Sequence, residues 1–184
     1  NQVAHLSKTI DDFREFLKPN RVKDRVSVSH ILKKCEALIS KALQNNGIEY
    51  SFDKSLDTEF EVLDGELTQV LLNLIGNAKE ILIARKIENP KISVNAKLEE
   101  ECMVLSVEDN GGGVDEEHRD RIFEPYFSTK GEKNNSGLGL YMSKIIIEKH
   151  MFGKIWFENR NGGATFFVSI PLKGEKSGNL KDII

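Results

Sequence analysis

Two glycine clusters in one short stretch constrain the fold of this chain more than any other feature. The clusters are Gly111-Gly112-Gly113 and Gly137-Leu138-Gly139, and between them lie the apolar run Ile122–Phe127 and a polar, lysine-containing segment. Glycine weakens helices and strands, so a cluster of it marks backbone that bends sharply or approaches a neighbour closely. The first cluster follows a predicted strand, and the second opens a predicted helix.

The remaining sequence predicts a sheet with helices on one face. Apolar residues at helical spacing predict helices from Ser27 or Ser29 to about Gly47, over about residues 64–85 and 139–150, and a short one at about 116–122. Alternation predicts strands at 48–52, 59–62, 91–98, 102–109, 153–159 and 164–172. The basic, polar stretch 20–28 is interpreted as a linker. This layout is typical of an α+β two-layer sandwich.

Composition excludes several classes of function. The 26 basic and 29 acidic residues give a formal charge of -3 without a basic block, so we expect no nucleic-acid surface. No uninterrupted apolar run is long enough to span a bilayer, so we expect no membrane contact. Cys35 and Cys102 are isolated in the sequence, which favours reduced thiols in a cytoplasmic domain over a disulfide or a metal site.

The longest predicted helix carries a polar cluster beside its apolar stripe. At about 100° per residue, Asn73, Asn77 and Glu80 fall within an arc of roughly 60° that borders the apolar face. The three residues are either ordinary polar edging or a site for a hard cation and phosphate, because oxygen donors suit Mg²⁺.

Each glycine cluster also has a functional and a purely structural interpretation. Asp109 precedes the first cluster at a strand end, where its carboxylate can accept a hydrogen bond from an amino group while glycine backbone lies flat against a planar ligand. The same residues also suit an ordinary strand-to-helix turn. The second cluster opens a helix whose free N–H groups attract anions such as phosphate. Neither cluster has the spacing of a P-loop or a dinucleotide-binding fingerprint.

Five stretches together resemble the catalytic and ATP-binding domain of sensor histidine kinases. This domain belongs to a superfamily that includes gyrase, mismatch-repair and chaperone ATPases, and the resemblance implies its Bergerat-type fold. The matching stretches, in the family's order, are QVLLNLIGNAKEIL (69–82), EDNGGGV (108–114), RIFEPYFSTK (121–130), SGLGLYMSK (136–144) and GGATFFVSIPL (162–172). Glu80 stands where many members have lysine, a pattern similar to that of the nitrogen-regulation kinases.

The resemblance implies ATP and Mg²⁺ as ligands and a role for each matched residue. Asp109 would bind the adenine amino group, with Thr165 joining it and Gly111 and Gly113 shaping the pocket. The residues that would act at the phosphates or the metal are Asn73, Asn77 (the Mg²⁺ ligand), Glu80, Lys130, Gly137, Leu138, Gly139 and Leu140. The segment between the glycine clusters would be a mobile lid with Phe123 and Phe127 as its apolar hinge.

The chain lacks the family's phosphoacceptor motif, a histidine followed by an acid and then a proline. His5, in HLSKTI, has neither, so we interpret it as a solvated residue of a predicted amphipathic helix over residues 1–18. Residues 1–20 instead resemble the second helix of the dimerisation hairpin. We therefore expect a fragment with a truncated hairpin (1–20), the catalytic domain (21–173) and a flexible tail (174–184).

The implied function is transfer of the γ-phosphoryl group of Mg-ATP to a histidine outside this chain, for relay to a response regulator. The expected partners are the acceptor-histidine helix, a homodimer partner and the regulator, and the expected location is the cytoplasm, whether or not the parent protein is membrane-anchored. Two alternatives stay open at this point: an ATP-gated binding module without transfer, and a serine kinase of the anti-sigma type.

Overall fold

A five-stranded mixed sheet is the base on which the candidate site is built. The computed structural model describes residues 22–129 and 137–172. In spatial order the strands are β2 (Glu49–Phe52), β4 (Lys91–Glu99), β5 (Cys102–Asp109), β7 (Gly163–Pro171) and β6 (Lys154–Arg160). Only the β2–β4 pair is parallel in this sheet; the other neighbours are antiparallel. The predicted mixed sheet is therefore confirmed.

The strand register separates an apolar face from one that mixes polar and aromatic side chains. Val94, Val107, Phe166 and Phe157 lie side by side across four strands on the inner face. At the neighbouring position of each strand, the side chains point to the opposite face. The neighbouring row there consists of Asn95, Ser106, Phe167 and Trp156.

Helices cover the inner face and bury their apolar stripes against it. Helix α1 (Val28–Asn45) begins after Ser27, whose hydroxyl accepts a hydrogen bond from the His30 amide, and helix α2 (Asp64–Ala84) is the longest element. Fully buried side chains of both helices and of the sheet form one core, including Ile31, Leu32, Leu71, Leu74, Leu105 and Val168. Burying each such side chain stabilises the fold by about 1.5–3 kcal/mol.

The interpretation of residues 20–28 as a linker was wrong for part of that stretch. Strand β1 (Asp24–Ser27) pairs antiparallel with β3 (Glu59–Val62) in a separate two-stranded sheet. Asp24 and Arg25 are exposed, so the stretch carries little of the apolar alternation that reveals a strand. Its partner lies more than thirty residues away, where no local signal indicates the pairing.

The elements around the second glycine cluster also differ from expectation in detail. Helix α3 (Gly139–Ile145) continues as a π-helical turn (Ile146–His150) rather than as one regular helix. The predicted short helix is a 3-10 turn at Glu116–His118. The proposed units 1–20 and 174–184 lie outside the described residues. Among the described helices, none has the length and apolarity needed to cross a membrane.

Candidate nucleotide-binding site

An open cavity lies where helix α2 faces the loop after β5 and the start of α3. The space between the surrounding atoms is about 920 Å³, a volume that includes the solvent at its open mouth. Seven of the predicted site residues line this cavity: Asn77, Asp109, Gly113, Phe127, Gly137, Gly139 and Leu140.

Asp109 is a buried carboxylate with one oxygen held by the protein. It is the last residue of β5 and is 6% exposed. Its Oδ1 accepts hydrogen bonds from the amides of Gly111 (2.7 Å) and Ala164 (3.4 Å). Burial raises the pKa of this carboxyl, while the two amides and the charge of Arg85 oppose that rise. Because both hydrogen bonds end on Oδ1, Oδ2 is left to accept a hydrogen bond from a ligand in the cavity.

The first glycine cluster is a loop that lies flat against helix α2. Gly112 and Gly113 have φ of +91° and +78°, which side chains rarely adopt. A Cβ on Gly111 would lie 2.8 Å from Cγ2 of Ile81, so no side chain fits between loop and helix. The cluster therefore combines a tight turn with a close approach to helix α2, beside the cavity, as the glycines in the sequence predicted.

Arg85 was missed by the sequence analysis although it lines the cavity. It follows the last residue of α2, and its Nη1 donates to the carbonyl oxygens of Gly111 (2.6 Å) and Gly113 (2.9 Å). Its Nη2 lies 3.6 Å from Oδ1 of Asp115. Asn77, Ile81 and Arg85 are spaced four residues apart and so share one side of the helix. That spacing was the signal available in the sequence.

Asn73 contacts helix α3 instead of lining the cavity. Its Nδ2 donates to Oγ of the buried Ser143 at 3.0 Å. Its Oδ1 lies so close to Gly139 that a Cβ there would overlap it. Asn73 thus fixes the start of α3 against α2, whereas Asn77 faces the cavity itself.

The two phenylalanines of the apolar run have different surroundings. Phe127 lines the cavity, with the His118 ring edge-on at 5.4 Å and the Arg121 guanidinium 4.8 Å from its ring centre. Phe123 packs edge-on against Phe166 of β7, with ring centres 6.4 Å apart. Phe123 is therefore anchored on the core, and its predicted hinge role stays a prediction.

Thr165 does not line the cavity, and its predicted role at the adenine stays a prediction. Ala164 and Phe166 line the cavity, and alternation along β7 turns Thr165 to the opposite face of the sheet beside Glu108. There it is 3% exposed, and its hydroxyl finds no hydrogen-bond partner among the described residues.

Three other predicted residues do not line the cavity, and a fourth lies outside the residues that the structure describes. Glu80 is exposed, Leu138 is not among the lining residues, and Gly111 lies behind Asp109, to whose carboxylate its amide donates. Lys130 lies outside the described residues. The roles of these residues stay predictions.

The donor set suits Mg²⁺ only together with a nucleotide. No group of three or more His, Cys, Asp or Glu side chains in the described part of the chain could hold a metal by itself. Mg²⁺ in nucleotide sites usually keeps waters and takes one or two protein oxygens plus substrate phosphates. The Asn77 carboxamide oxygen at the cavity fits that pattern.

Comparisons with known proteins agree with this geometry. The family model for histidine kinase-, DNA gyrase B-, and HSP90-like ATPase matches residues 64–174. The signal transduction histidine-protein kinase AtoS of Escherichia coli (strain K12) is 31% identical over 93% of this chain, which spans 28% of that kinase's length.

Two solved structures of another histidine kinase are also similar. The catalytic domain of histidine kinase ThkA is 31% identical with a TM-score of 0.71, covering 82% of this chain and 95% of that one. ThkA in complex with response regulator protein TrrA is 26% identical with a TM-score of 0.71, covering 94% of this chain and 49% of that one. These comparisons do not assign a subgroup, so the likeness to nitrogen-regulation kinases stays a prediction.

Proposed function

Because the chain belongs to the histidine kinase-, DNA gyrase B-, and HSP90-like ATPase family, with the ATP-binding domain of a histidine kinase, we propose that it catalyses histidine phosphorylation. It would bind Mg-ATP and transfer the γ-phosphoryl group to a histidine outside this chain. The observation that carries the proposal is the buried Asp109 carboxylate, which leaves one oxygen open to the same cavity that Asn77 lines.

Asp109 would select adenine by its hydrogen-bonding pattern. The 6-amino group of adenine can donate to Oδ2, whereas guanine places a carbonyl oxygen at that position and would meet a carboxylate oxygen. A hydrogen bond to a charged group contributes about 1.5–3 kcal/mol, and an unpaired buried carboxylate costs a comparable amount. The apolar side chains Ile81, Ile122 and Phe166 line the same cavity and can cover the faces of a base.

The other end of the cavity would hold the phosphates and the metal. Asn77 would ligate Mg²⁺, which supplies charge neutralisation at the transferring phosphate when it is bound. The amides of Gly137 to Gly139 would face the phosphates, and Lys130 would add a positive charge. Phosphoryl transfer needs little covalent chemistry from the protein, so these residues act by positioning and by stabilising charge. Asn73 would contribute indirectly, through its contact with α3.

The proposed partners follow from the family and from one similar structure. ThkA has been solved in complex with a response regulator, and we propose that this chain's parent protein also passes its phosphoryl group to a regulator. The acceptor helix and the homodimer partner would belong to the parent protein, since no acid directly follows any of the four histidines, His5, His30, His118 and His150. We place this domain in the cytoplasm, where ATP is available and where free thiols such as Cys35 and Cys102 persist.

Phosphoryl transfer to a supplied acceptor tests the proposal. The chain is mixed with a dimeric hairpin from a related kinase that carries the acceptor histidine, and with γ-labelled ATP and Mg²⁺. We expect label on the hairpin that is lost in acid, and none when its acceptor histidine is replaced. Binding of ATP without any transfer would favour the ATP-gated module, and acid-stable label would favour the serine kinase.

A further inference from the structure

We propose that Arg85 is a positioning residue for base recognition: it holds the Gly111–Gly113 loop in the shape that presents Asp109 to the nucleotide. The inference rests on the proposed function, because it assumes that Asp109 receives the base. It assigns a role to a residue at the end of α2, outside the stretches that carry the family resemblance.

The loop needs such a contact because its own backbone is unusually free. Gly112 and Gly113 both have positive φ, and glycine loses more conformational entropy on ordering than any other residue. The far side of the loop is already fixed: Gly112 N donates to Gly162 O at 2.8 Å, and Asn159 forms two hydrogen bonds with the Val114 backbone. On the helix side, Arg85 provides the contact.

Arg85 meets this need with the geometry of its planar guanidinium. One nitrogen, Nη1, donates to two carbonyl oxygens that lie two residues apart, at 2.6 and 2.9 Å. The other, Nη2, faces Asp115 at 3.6 Å. A guanidinium presents several donors in a fixed plane, which a lysine ammonium does not. The contact therefore holds the carbonyl groups of Gly111 and Gly113 at a set distance from each other, in addition to placing a positive charge beside them.

The position of the loop determines the orientation of the Asp109 carboxylate. The Gly111 amide donates to Asp109 Oδ1, and Arg85 holds the carbonyl of the same glycine. A loop that moves away from α2 would release Oδ1 and let the carboxylate rotate. The charge of Arg85 also counteracts the effect of burial on the Asp109 pKa. Because Asn77 lies two turns earlier on the same helix, α2 would set the distance between the base and the metal ends of the site.

Binding of ADP and GDP by matched variants tests the inference. Arg85→Met removes the donors and keeps an unbranched side chain of helix-forming type, whereas Arg85→Lys keeps the charge but not the planar fork. Arg25→Met is the control, because Arg25 pairs with Glu59 on the separate two-stranded sheet. We expect Arg85→Met to weaken ADP binding about tenfold or more. Only a fraction of the variant molecules would hold the loop in the binding conformation, and the apparent affinity falls by that fraction. GDP binding should change less, so that selectivity falls; Arg85→Lys should recover only part of it.

A pH profile separates positioning from a general loss of structure. The charged or titratable groups near Asp109 are Arg85, Glu108, Asp115 and His118. Without the Arg85 charge the Asp109 pKa rises further. As the pH is lowered, Asp109 should therefore become protonated, and ADP binding should be lost, at a higher pH in Arg85→Met than in Arg85→Lys or the parent chain. His118 is present in all three proteins and so does not contribute to the difference.

The possible outcomes distinguish this inference from the proposed function. If the parent chain binds no ADP, the proposed function fails. If the parent chain binds ADP and Arg85→Met binds it equally well at every pH, with unchanged selectivity, only the role of Arg85 fails. Amide exchange covers the case of a poorly binding or poorly folded variant: in Arg85→Lys, exchange at Gly111 should rise while β5 stays protected. Unchanged exchange at Gly111 would overturn the inference.

Discussion

Replacing Asp109 by asparagine tests the base-recognition account with the smallest possible change. The parent carboxylate accepts from the amides of Gly111 and Ala164 through Oδ1 and leaves Oδ2 for the adenine amino group. An asparagine can keep both amide hydrogen bonds only by turning its own NH₂ group toward the base. Two donors then face each other. The opposite rotamer restores an acceptor to the base but points the NH₂ group at two backbone donors.

Either rotamer loses a charge-assisted hydrogen bond, which is typically worth about 1.5–3 kcal/mol. At about 1.4 kcal/mol for each factor of ten, ATP affinity should fall by roughly 10- to 150-fold. Isothermal titration calorimetry at neutral pH measures the change, with Asp24→Asn as the control, because Asp24 is an exposed acid on the separate two-stranded sheet and does not line the cavity. Unchanged ATP affinity in Asp109→Asn would refute the assignment of Asp109 to the base.

The stability of the same variant should move in the opposite direction. Burial raises the Asp109 pKa in the folded state above its ordinary value. The folded chain therefore binds more protons at this group than the unfolded chain between those two pKa values, and stability falls as pH rises through that window. Above the window the ionised carboxylate destabilises the fold, and asparagine removes that cost. Asp109→Asn should thus be at least as stable as the parent at pH 7 in urea unfolding, so that its weaker ATP binding cannot be attributed to misfolding.

Four further predictions concern the metal, the fold, the acceptor and the lid. Asn77→Ala should abolish the Mg²⁺ dependence of nucleotide binding with the fold intact by circular dichroism; an unchanged Mg²⁺ dependence would contradict the metal role. Gly163→Ala should lower the unfolding free energy by about 2 kcal/mol or more, because its Cβ would overlap the Asp109 carbonyl oxygen; urea titration with Gly65→Ala, whose Cβ would meet open space, is the comparison. The chain alone should incorporate no label from γ-labelled ATP, and label lost in His5→Ala would show otherwise. A non-hydrolysable ATP analogue should raise amide protection across Ser128–Gly139 and leave Cys102–Val107 unchanged. Equal exchange at Ser128–Gly139 with and without the analogue would contradict the role of this segment as a lid.

Sequence reasoning located residues whose position follows from local spacing. Glycines after a strand-end acid predict a tight loop beside a cavity, and the structure places Asp109 and Gly113 there. The apolar stripe of α2 fixes which side of the helix faces the core, and Asn77, beside that stripe, lines the cavity. Its role at the metal stays a prediction.

Sequence reasoning does not reach the features that a strand pairing, a strand register or a backbone contact decides. Thr165 and Ala164 are adjacent in sequence, and only the strand register shows that Ala164 faces the cavity. Strand β1 depends on a distant partner. The spacing of Arg85 from Asn77 places it on the same side of the helix, but its partners are backbone carbonyls of a loop, which that spacing does not identify. Asn73 was grouped with Asn77 because both share one side of the helix, yet its neighbour is Ser143.

A crystal structure of the chain with Mg²⁺ and a non-hydrolysable ATP analogue tests the central claim most directly. The account predicts the adenine amino nitrogen within about 3 Å of Asp109 Oδ2, a normal hydrogen-bond distance, and the metal on the Asn77 carboxamide oxygen. A base bound away from Asp109, or a cavity that stays empty at saturating nucleotide, would contradict it.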